Sequence, residues 1–381
     1  MLARRVDQIP PSGGASVVHV ITDAGPHPYF RTLIEADGLG RGPLCVGCVG
    51  PAGALQEDMR SLGVATFALG ARSRAGYPAA AGRLARALRR RSTDVVQTHL
   101  LEGSLVGLTA ARLARTPVAV MTAHHSHELP FHGPKLVWAE RLCTGPLCDH
   151  IIAPSQDALR TLTRFARVPV EKIEVVHHGF DLERLDPSEA DPARVRRELG
   201  LEGNLVFGAI GRLYELKNYS ALIDAFASAL ADVREARLVI AGAGDAAGLA
   251  ARARHLDIAD RVILCGPRDD VPDLLAAVDV FVHPAVAESF GMVIIEAMAM
   301  ARPVVSTPVG IAPEVISDGE TGVLCSSPDL AALVVGLREM LALRDSWLEI
   351  GTRARRRIQS FTAASMANRY RQLYDRWLLD A

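Results

Sequence analysis

The chain predicts an α/β protein built from two doubly wound parallel-sheet units in tandem. Three observations predict it. Short apolar runs alternate with helix-length segments, the pattern of strands joined by right-handed helical crossovers. The alternation breaks once, over 182–203, a charged stretch with two prolines and no strand character, and then restarts. The length of 381 residues exceeds that of one typical domain.

The elements follow in order. Residues 16–22, SVVHVIT, make the first strand, and after the loop DAGPHP a helix starts near Tyr29. Strands are expected at 43–49, 64–68, 94–98, 118–122, 149–153 and 173–176. Helices lie between them, from Pro51, over 78–91, over 102–115, over 134–144 and from Ser155, a good N-cap. The stretch 182–203 serves as linker and lead-in helix. The second unit opens with strand 205–210, LVFGAI, and continues with strands at 237–241, 261–265, 279–283, 303–307 and 322–325. Its helices start near Tyr219, after Asp245, at 272–277 and at Met292. Three more follow, at 328–343, 345–359 and 362–379. The last repeats Tyr370, Tyr374 and Trp377 at helical spacing, so it packs on something. The expected division is 1–180 and 181–361, with helix 362–381 returning to the first unit. Hinges are then expected at 178–184 and near 358–364. Ligands of doubly wound sheets bind beyond the carboxyl ends of the strands at a switch point, so the expected site is the cleft between the units.

Composition narrows the class. Hydrophobic residues are 49% of the chain, enough for sizeable cores, and the net charge of −1 gives no reason to expect nucleic-acid binding. No run of about 18 apolar residues reads as a membrane span, and Arg4 and Arg5 are not followed by the apolar core of a signal peptide, so a cytoplasmic protein is expected. Cys45 and Cys48 form a CxxC, and Cys143 and Cys148 a looser pair. A zinc site is one reading. Buried thiols without disulfides are the stronger one, because residues three apart in an apolar strand face opposite ways.

The chemistry concentrates in 283–310, HPAVAESFGMVIIEAMAMARPVVSTPVG. Glu288 and Glu296 stand there with seven residues between them. Ser289-Phe290-Gly291 leads into a helix at Met292, whose first N–H groups point at whatever sits there. The loop GRLYELKN, 211–218, brings Arg212 and Lys217, a fork-shaped donor and a point charge suited to a diphosphate. Alone they would read as surface cations; beside a helix N-terminus the diphosphate is favoured. In the first unit, His124 and His125 of AHHSHE sit at a strand's carboxyl end, where active-site groups belong. A metal site is the lesser alternative for these histidines. His99 and Glu102 are acceptor-side candidates, or else a simple helix start with Glu102 favouring the dipole. Arg83, Arg86 and Arg89–Arg91 read as a solvated helix face, in preference to a surface for anionic lipid. GAGDAAG at 242–248 lacks the GxGxxG spacing, which disfavours a nicotinamide oxidoreductase.

GRLxxxK followed by ESFGxxxxEAM resembles the GT-B retaining glycosyltransferases of family 4. HHGFD at 177–181, GAGD at 242–245, CGPRDDVPDLL at 265–275 and PVGIAPEVISDGETG at 308–322 extend the match, which covers the second unit strongly and the first weakly. The resemblance implies two Rossmann-like domains and a nucleotide-diphosphate sugar as donor. UDP is preferred over GDP on family frequency, with UDP-GlcNAc or UDP-glucose as examples. It implies that Glu296 accepts from the ribose hydroxyls and Glu288 lies by the transferred sugar. Backbone N–H groups over Phe290, Gly291 and Met292, with Gly211, Ser289 and Val293 beside them, would meet sugar hydroxyls or phosphate. Arg212 and Lys217 would hold the diphosphate, and His124, or alternatively His125, would contact the sugar. Arg268 is a base contact or a rim charge. The loop DAGPHPYF departs from the family in carrying only Gly25, which is left as an acceptor-side candidate.

The implied reaction is front-face attack with retention, the leaving phosphate taking the acceptor's proton. Glu288 then positions the sugar, whereas a nucleophile would form a covalent intermediate. No DxD-type metal motif is present and Asp269-Asp270 lies on the base side, so no cofactor is expected, with Mg²⁺ stimulation left open. The acceptor is a small molecule, a lipid-linked intermediate or a glycan. Competing readings are a sugar-nucleotide epimerase or a phosphorylase of the same architecture, and a non-catalytic nucleotide-sugar-binding protein.

Overall fold

A computed structural model describes residues 15–25, 27–35, 44–124, 126–131 and 133–381. The chain divides into two compact units, residues 1–181 with 361–381 and residues 182–360.

The first unit holds β1 (Val17–Ile21), β2 (Leu44–Cys48), β3 (Ala65–Ala68), β4 (Val95–His99), β5 (Val118–Thr122), β6 (His150–Ala153) and β7 (Ile173–Val175). They form one sheet in the order β3-β2-β1-β4-β5-β6-β7, and every pairing is parallel. The order reverses between β1 and β4, which makes the carboxyl ends of these strands the switch point. Both faces are covered, so the strands read as near-continuous apolar runs. On one face Leu84, Leu88, Val106 and Leu108 pack against Val18, Val20 and Val96. On the other, the helix Ala363–Leu379 lays Met366, Tyr370, Leu373, Tyr374 and Trp377 against Val17, Val95, Val120 and Ile152. Its hydroxyls find partners at that depth, as buried tyrosines do. Tyr29 Oη donates to Tyr370 Oη at 2.8 Å, and Tyr374 Oη donates to Gln97 Oε1. Cys45 and Cys48 fall into the clusters on opposite faces of the sheet, and all six cysteines are unpaired.

The second unit holds β8 (Leu205–Ile210), β9 (Ala236–Ala241), β10 (Val262–Gly266), β11 (Val280–His283), β12 (Val304–Ser306) and β13 (Gly322–Leu324). Their order is β10-β9-β8-β11-β12-β13, again all parallel, with the reversal between β8 and β11. Phe207, Phe226, Leu333 and Leu337 centre the core on one face, and Val195, Val206, Val239 and Leu274 on the other.

Local differences from the sequence expectation have local causes. The helix expected over 134–144 ends at Leu142 and widens into a π turn, Cys143–Leu147, containing Pro146, which has no N–H to continue a regular helix. A one-turn helix, Ala312–Val315, lies between β12 and β13. Among the described residues no helix is long and apolar enough to cross a membrane.

Candidate active site

The second unit's switch point brings together loops that lie about seventy residues apart in sequence. After β8 the chain makes a single 3-10 turn, Glu215–Lys217, and Asn218 adopts a left-handed conformation to start the next helix. Asn218 Nδ2 donates to the carbonyls of Pro284 and Pro328, at 3.1 and 3.0 Å, and Val286 N–H donates to Leu216 O at 2.9 Å. The loop after β8 is thereby tied to the loop after β11. These ties place Lys217 Nζ in a short hydrogen-bonded ion pair with Glu288 Oε2. Both side chains are largely buried, 14% and 13% exposed, so the pair is little screened by water. Glu288 Oε1 also accepts from its neighbour Ser289 N–H at 3.1 Å. Behind the pair stands His283, whose buried Nε2 makes no hydrogen bond and lies 3.9 Å from Glu288 Oε2. Burial, with the nearby Lys217 cation second, holds this imidazole down to about 4, so it is neutral.

Gly291 turns the chain into the helix Met292–Ala299 through a left-handed conformation, φ +86°. The N–H groups of Met292 and Val293 precede the first intrahelical bonds and face outward from its start. Gly310 closes the turn from the other side. Its φ is +58°, and a Cβ there would stand 2.4 Å from the Phe290 carbonyl oxygen. The next residue, Ile311, donates to that same oxygen at 2.7 Å. Gly310→Ala is expected to destabilise the protein by on the order of 1–3 kcal/mol, through the strained backbone and the displaced Phe290 carbonyl. Thermal unfolding measures this; an unchanged midpoint would show that the turn tolerates a side chain.

Glu296 occupies the second turn of that helix. Burial alone pushes its carboxyl up to about 7, and no hydrogen-bond or ion-pair partner for it occurs among the described residues. A half-buried acceptor without a protein partner, on a helix whose first N–H groups are free, suits hydroxyl groups of a ligand. Arg212 is exposed, with its guanidinium 4.9 Å from the ring centre of Tyr214, and no ion-pair partner for it occurs among the described residues. Gly211 precedes it, and a Cβ there would meet Tyr219 Oη at 2.8 Å.

Arg268 is engaged. Its Nε and Nη2 donate to Asp270 at 2.7 and 2.6 Å, and its Nη1 and Nη2 donate to Glu198 at 2.6 and 3.1 Å. Arg194 donates to the same Asp270 at 2.5 Å. The Arg268 guanidinium first, and Arg194 with it, hold the Asp270 carboxyl well below the usual carboxylate range. Asp270 is therefore a structural anion, and Arg268 braces the loop after β10.

In the first unit, three histidines from different elements meet. His19 Nδ1 lies 2.9 Å from His99 Nε2, and His99 Nδ1 lies 2.8 Å from His124 Nε2. His124 stacks in turn on His178, centroids 5.3 Å apart. The rings pair with one another in a line, and among the described residues no group of three His, Cys, Asp or Glu side chains could hold a metal ion. His125 lies outside the described residues. Glu102 is in the first turn of the helix Leu101–Ala114 and accepts from Arg74 at 2.9 Å. Gly25 N–H donates to Asp23 Oδ1 at 2.9 Å in the loop after β1. Sequence reasoning did not single out His19, Tyr29, His178 or His283. For His19 a signal existed: one polar residue in the apolar run VVHVI of a strand covered on both faces.

Fold and site define a transferase of the two-domain, Rossmann-like glycosyltransferase type. Residues 18–184 match the family described as Glycosyltransferase Family 4, and residues 204–342 match Glycosyl transferases group 1. The chain belongs to the GT-B glycosyltransferases of family 4, enzymes that use nucleotide sugars. It is 25% identical over 300 residues to the N-acetyl-alpha-D-glucosaminyl L-malate synthase of Bacillus anthracis, covering 78% of each chain. It is 34% identical over 271 residues to the D-inositol 3-phosphate glycosyltransferase of Mycobacterium marinum, covering 64% of this chain but only 55% of that one. In fold it is similar to the Anabaena protein Alr3699/HepE, solved with UDP and glucose, with TM-score 0.83 and 22% identity over 95% of this chain and all of the other.

Proposed function

We propose that the chain transfers a hexosyl group, with retention, from a UDP-sugar to a hydroxyl of its acceptor. The observation that carries this is Glu296, a half-buried carboxyl without a protein partner, eight residues beyond Glu288 and on the helix that follows the Lys217–Glu288 pair. Ribose hydroxyls would complete its hydrogen bonding. The diphosphate would meet Arg212, Lys217 and the N–H groups at Met292 and Val293. These are donors held in place before the reaction, each worth on the order of 3–4 kcal/mol to a developing phosphate charge. Glu288, engaged by Lys217, would position the sugar and leave the attack to the acceptor. His124 would contact the sugar.

UDP as the nucleotide is supported by the UDP bound in the Anabaena structure. A small acceptor is supported by the names of the two relatives, which contain L-malate and D-inositol 3-phosphate, both compact hydroxylated anions. Arg268 would contribute through the loop it braces and not through a free guanidinium.

A panel of UDP-, GDP- and ADP-sugars, scored for nucleotide release with and without L-malate and inositol phosphate, tests the reading. UDP release, rising when an acceptor is present, is expected; no consumption of any nucleotide sugar would overturn it. Transfer is expected to persist in EDTA, since protein cations stand where the diphosphate charge would develop. Loss of activity in EDTA that Mg²⁺ restores would overturn metal independence.

A further inference from the structure

The line of histidines in the first unit has a property that none of its members has alone. His19 is on β1, His99 ends β4, and His124 follows β5. His19 and His99 are almost wholly buried. The parallel register sets their spacing: His19 stands opposite Gln97, and His99 opposite Thr122.

A neutral imidazole carries one N–H and one lone pair. Each ring-to-ring contact therefore uses one proton. If His99 holds its proton on Nε2, it donates to His19 Nδ1, and its Nδ1 must accept from His124 Nε2. If it holds the proton on Nδ1, it donates to His124 Nε2, and its Nε2 must accept from His19 Nδ1. No mixed arrangement satisfies both contacts, at 2.9 and 2.8 Å. All three rings carry Nε2–H, or all three carry Nδ1–H.

We propose that His19 and His99 are positioning residues coupled to His124, so that the three rings change tautomer only together. The role at the transfer site rests on the reading of His124 given above; the coupling of the three rings does not.

Two further observations support the coupling. The rings cannot turn independently. Phe30 packs edge-on against His19 and His99, with centroids 5.7 and 4.9 Å apart, and Tyr29 packs at a tilt on His99 and edge-on on His124, at 5.5 and 5.1 Å. Tyr29 is itself held by its hydrogen bond to Tyr370. His19 and His99 also stay uncharged: burial drives His19 down to about 3 and, with the neighbouring histidines, drives His99 well below its ordinary value. The fixed partner of a functional imidazole sets which nitrogen carries the proton. Here that partner is another imidazole, itself fixed by a third.

The test is ¹⁵N NMR of the full chain labelled at histidine, with resonances assigned by His19→Asn, His99→Asn and His124→Asn. The same tautomer, or the same mixture of the two, is expected at all three rings. Tautomer populations that differ between the rings would overturn the proposal without touching the assignment of glycosyl transfer. His19→Phe keeps the ring and removes its nitrogens. It is expected to shift the tautomer populations of His124 and to lower kcat on the order of 10–100-fold, the size seen when the outer hydrogen-bond partner of a metal-ligating histidine is lost. The donor KM should stay within about twofold, because binding groups of the second unit are untouched. An unchanged His124 tautomer in this variant would also overturn the proposal.

Discussion

Glu296→Gln is expected to make the protein more stable above neutral pH and nearly inactive. Both effects come from one cause. Burial raises the folded-state carboxyl from the ordinary 4.5 to about 7. The folded protein therefore holds a proton there that the unfolded chain has released, between about pH 4.5 and 7. Stability that depends on this group is fully present below about 4.5 and is lost as pH rises through about 7. Above that, the charged carboxylate costs up to about 3 kcal/mol, at 1.36 kcal/mol for each pH unit. Glutamine has the same shape and carries no charge, so its thermal midpoint should exceed the parent's at pH 8 and match it near pH 5.

Activity should move the other way. A carboxylate accepting from two ribose hydroxyls contributes about 1.5–3 kcal/mol per charged hydrogen bond. Loss of one such bond lowers kcat/KM by about 100-fold. The parent's donor affinity should rise with pH through about 7, and the variant's should not. Parental kcat/KM in the Glu296→Gln enzyme would remove Glu296 from the donor site. Equal midpoints at pH 8 would show that the carboxylate is already compensated in the fold.

The fold was legible because its signals are local. The runs LVFGAI and DVFVH mark buried parallel strands wherever they stand, and Ser155 caps its helix by accepting from Ala158 N–H as its residue type suggests. The loops that carry candidate chemistry were legible for the same reason, since GRLYELKN directly follows a strand. Pairings were not legible. Lys217 meets Glu288 across 71 residues, and Arg268 meets Glu198 across 70. Each contact depends on which strands become neighbours. The histidine line depends further on register, because a shift of one residue would turn His19 to the opposite face of the sheet. Sequence reading thus treated Lys217 and Glu288 as separate ligand contacts, and Arg268 as a base contact or a rim charge. In the folded chain two of them hold each other, and the third is bound by two carboxylates.

Lys217→Met and Glu288→Gln, singly and together, should show that these two side chains work as one unit. The ion pair is largely buried, so removing one partner leaves an uncompensated charge. Lys217→Met, which strands the Glu288 carboxylate, is expected to cost about 3–5 kcal/mol of stability. Glu288→Gln strands the ammonium but keeps an amide oxygen to receive it, so it should cost less. The double variant leaves neither charge and should regain much of the loss. In turnover, Lys217→Met should lower kcat by about 100- to 1000-fold, the effect of losing one fixed donor to the leaving group. Glu288→Gln should lower kcat because Lys217 is no longer held as firmly. The double variant should then be little worse than Lys217→Met, since a lysine that is absent cannot be misplaced. Losses that multiply would mean that Glu288 positions the sugar without needing Lys217 to hold it. The stereochemistry of rescue separates the remaining case. If Glu288 were a nucleophile, Glu288→Ala with added azide would accumulate an inverted glycosyl azide. With Glu288 bound to Lys217 as a positioning group, azide is expected to restore nothing.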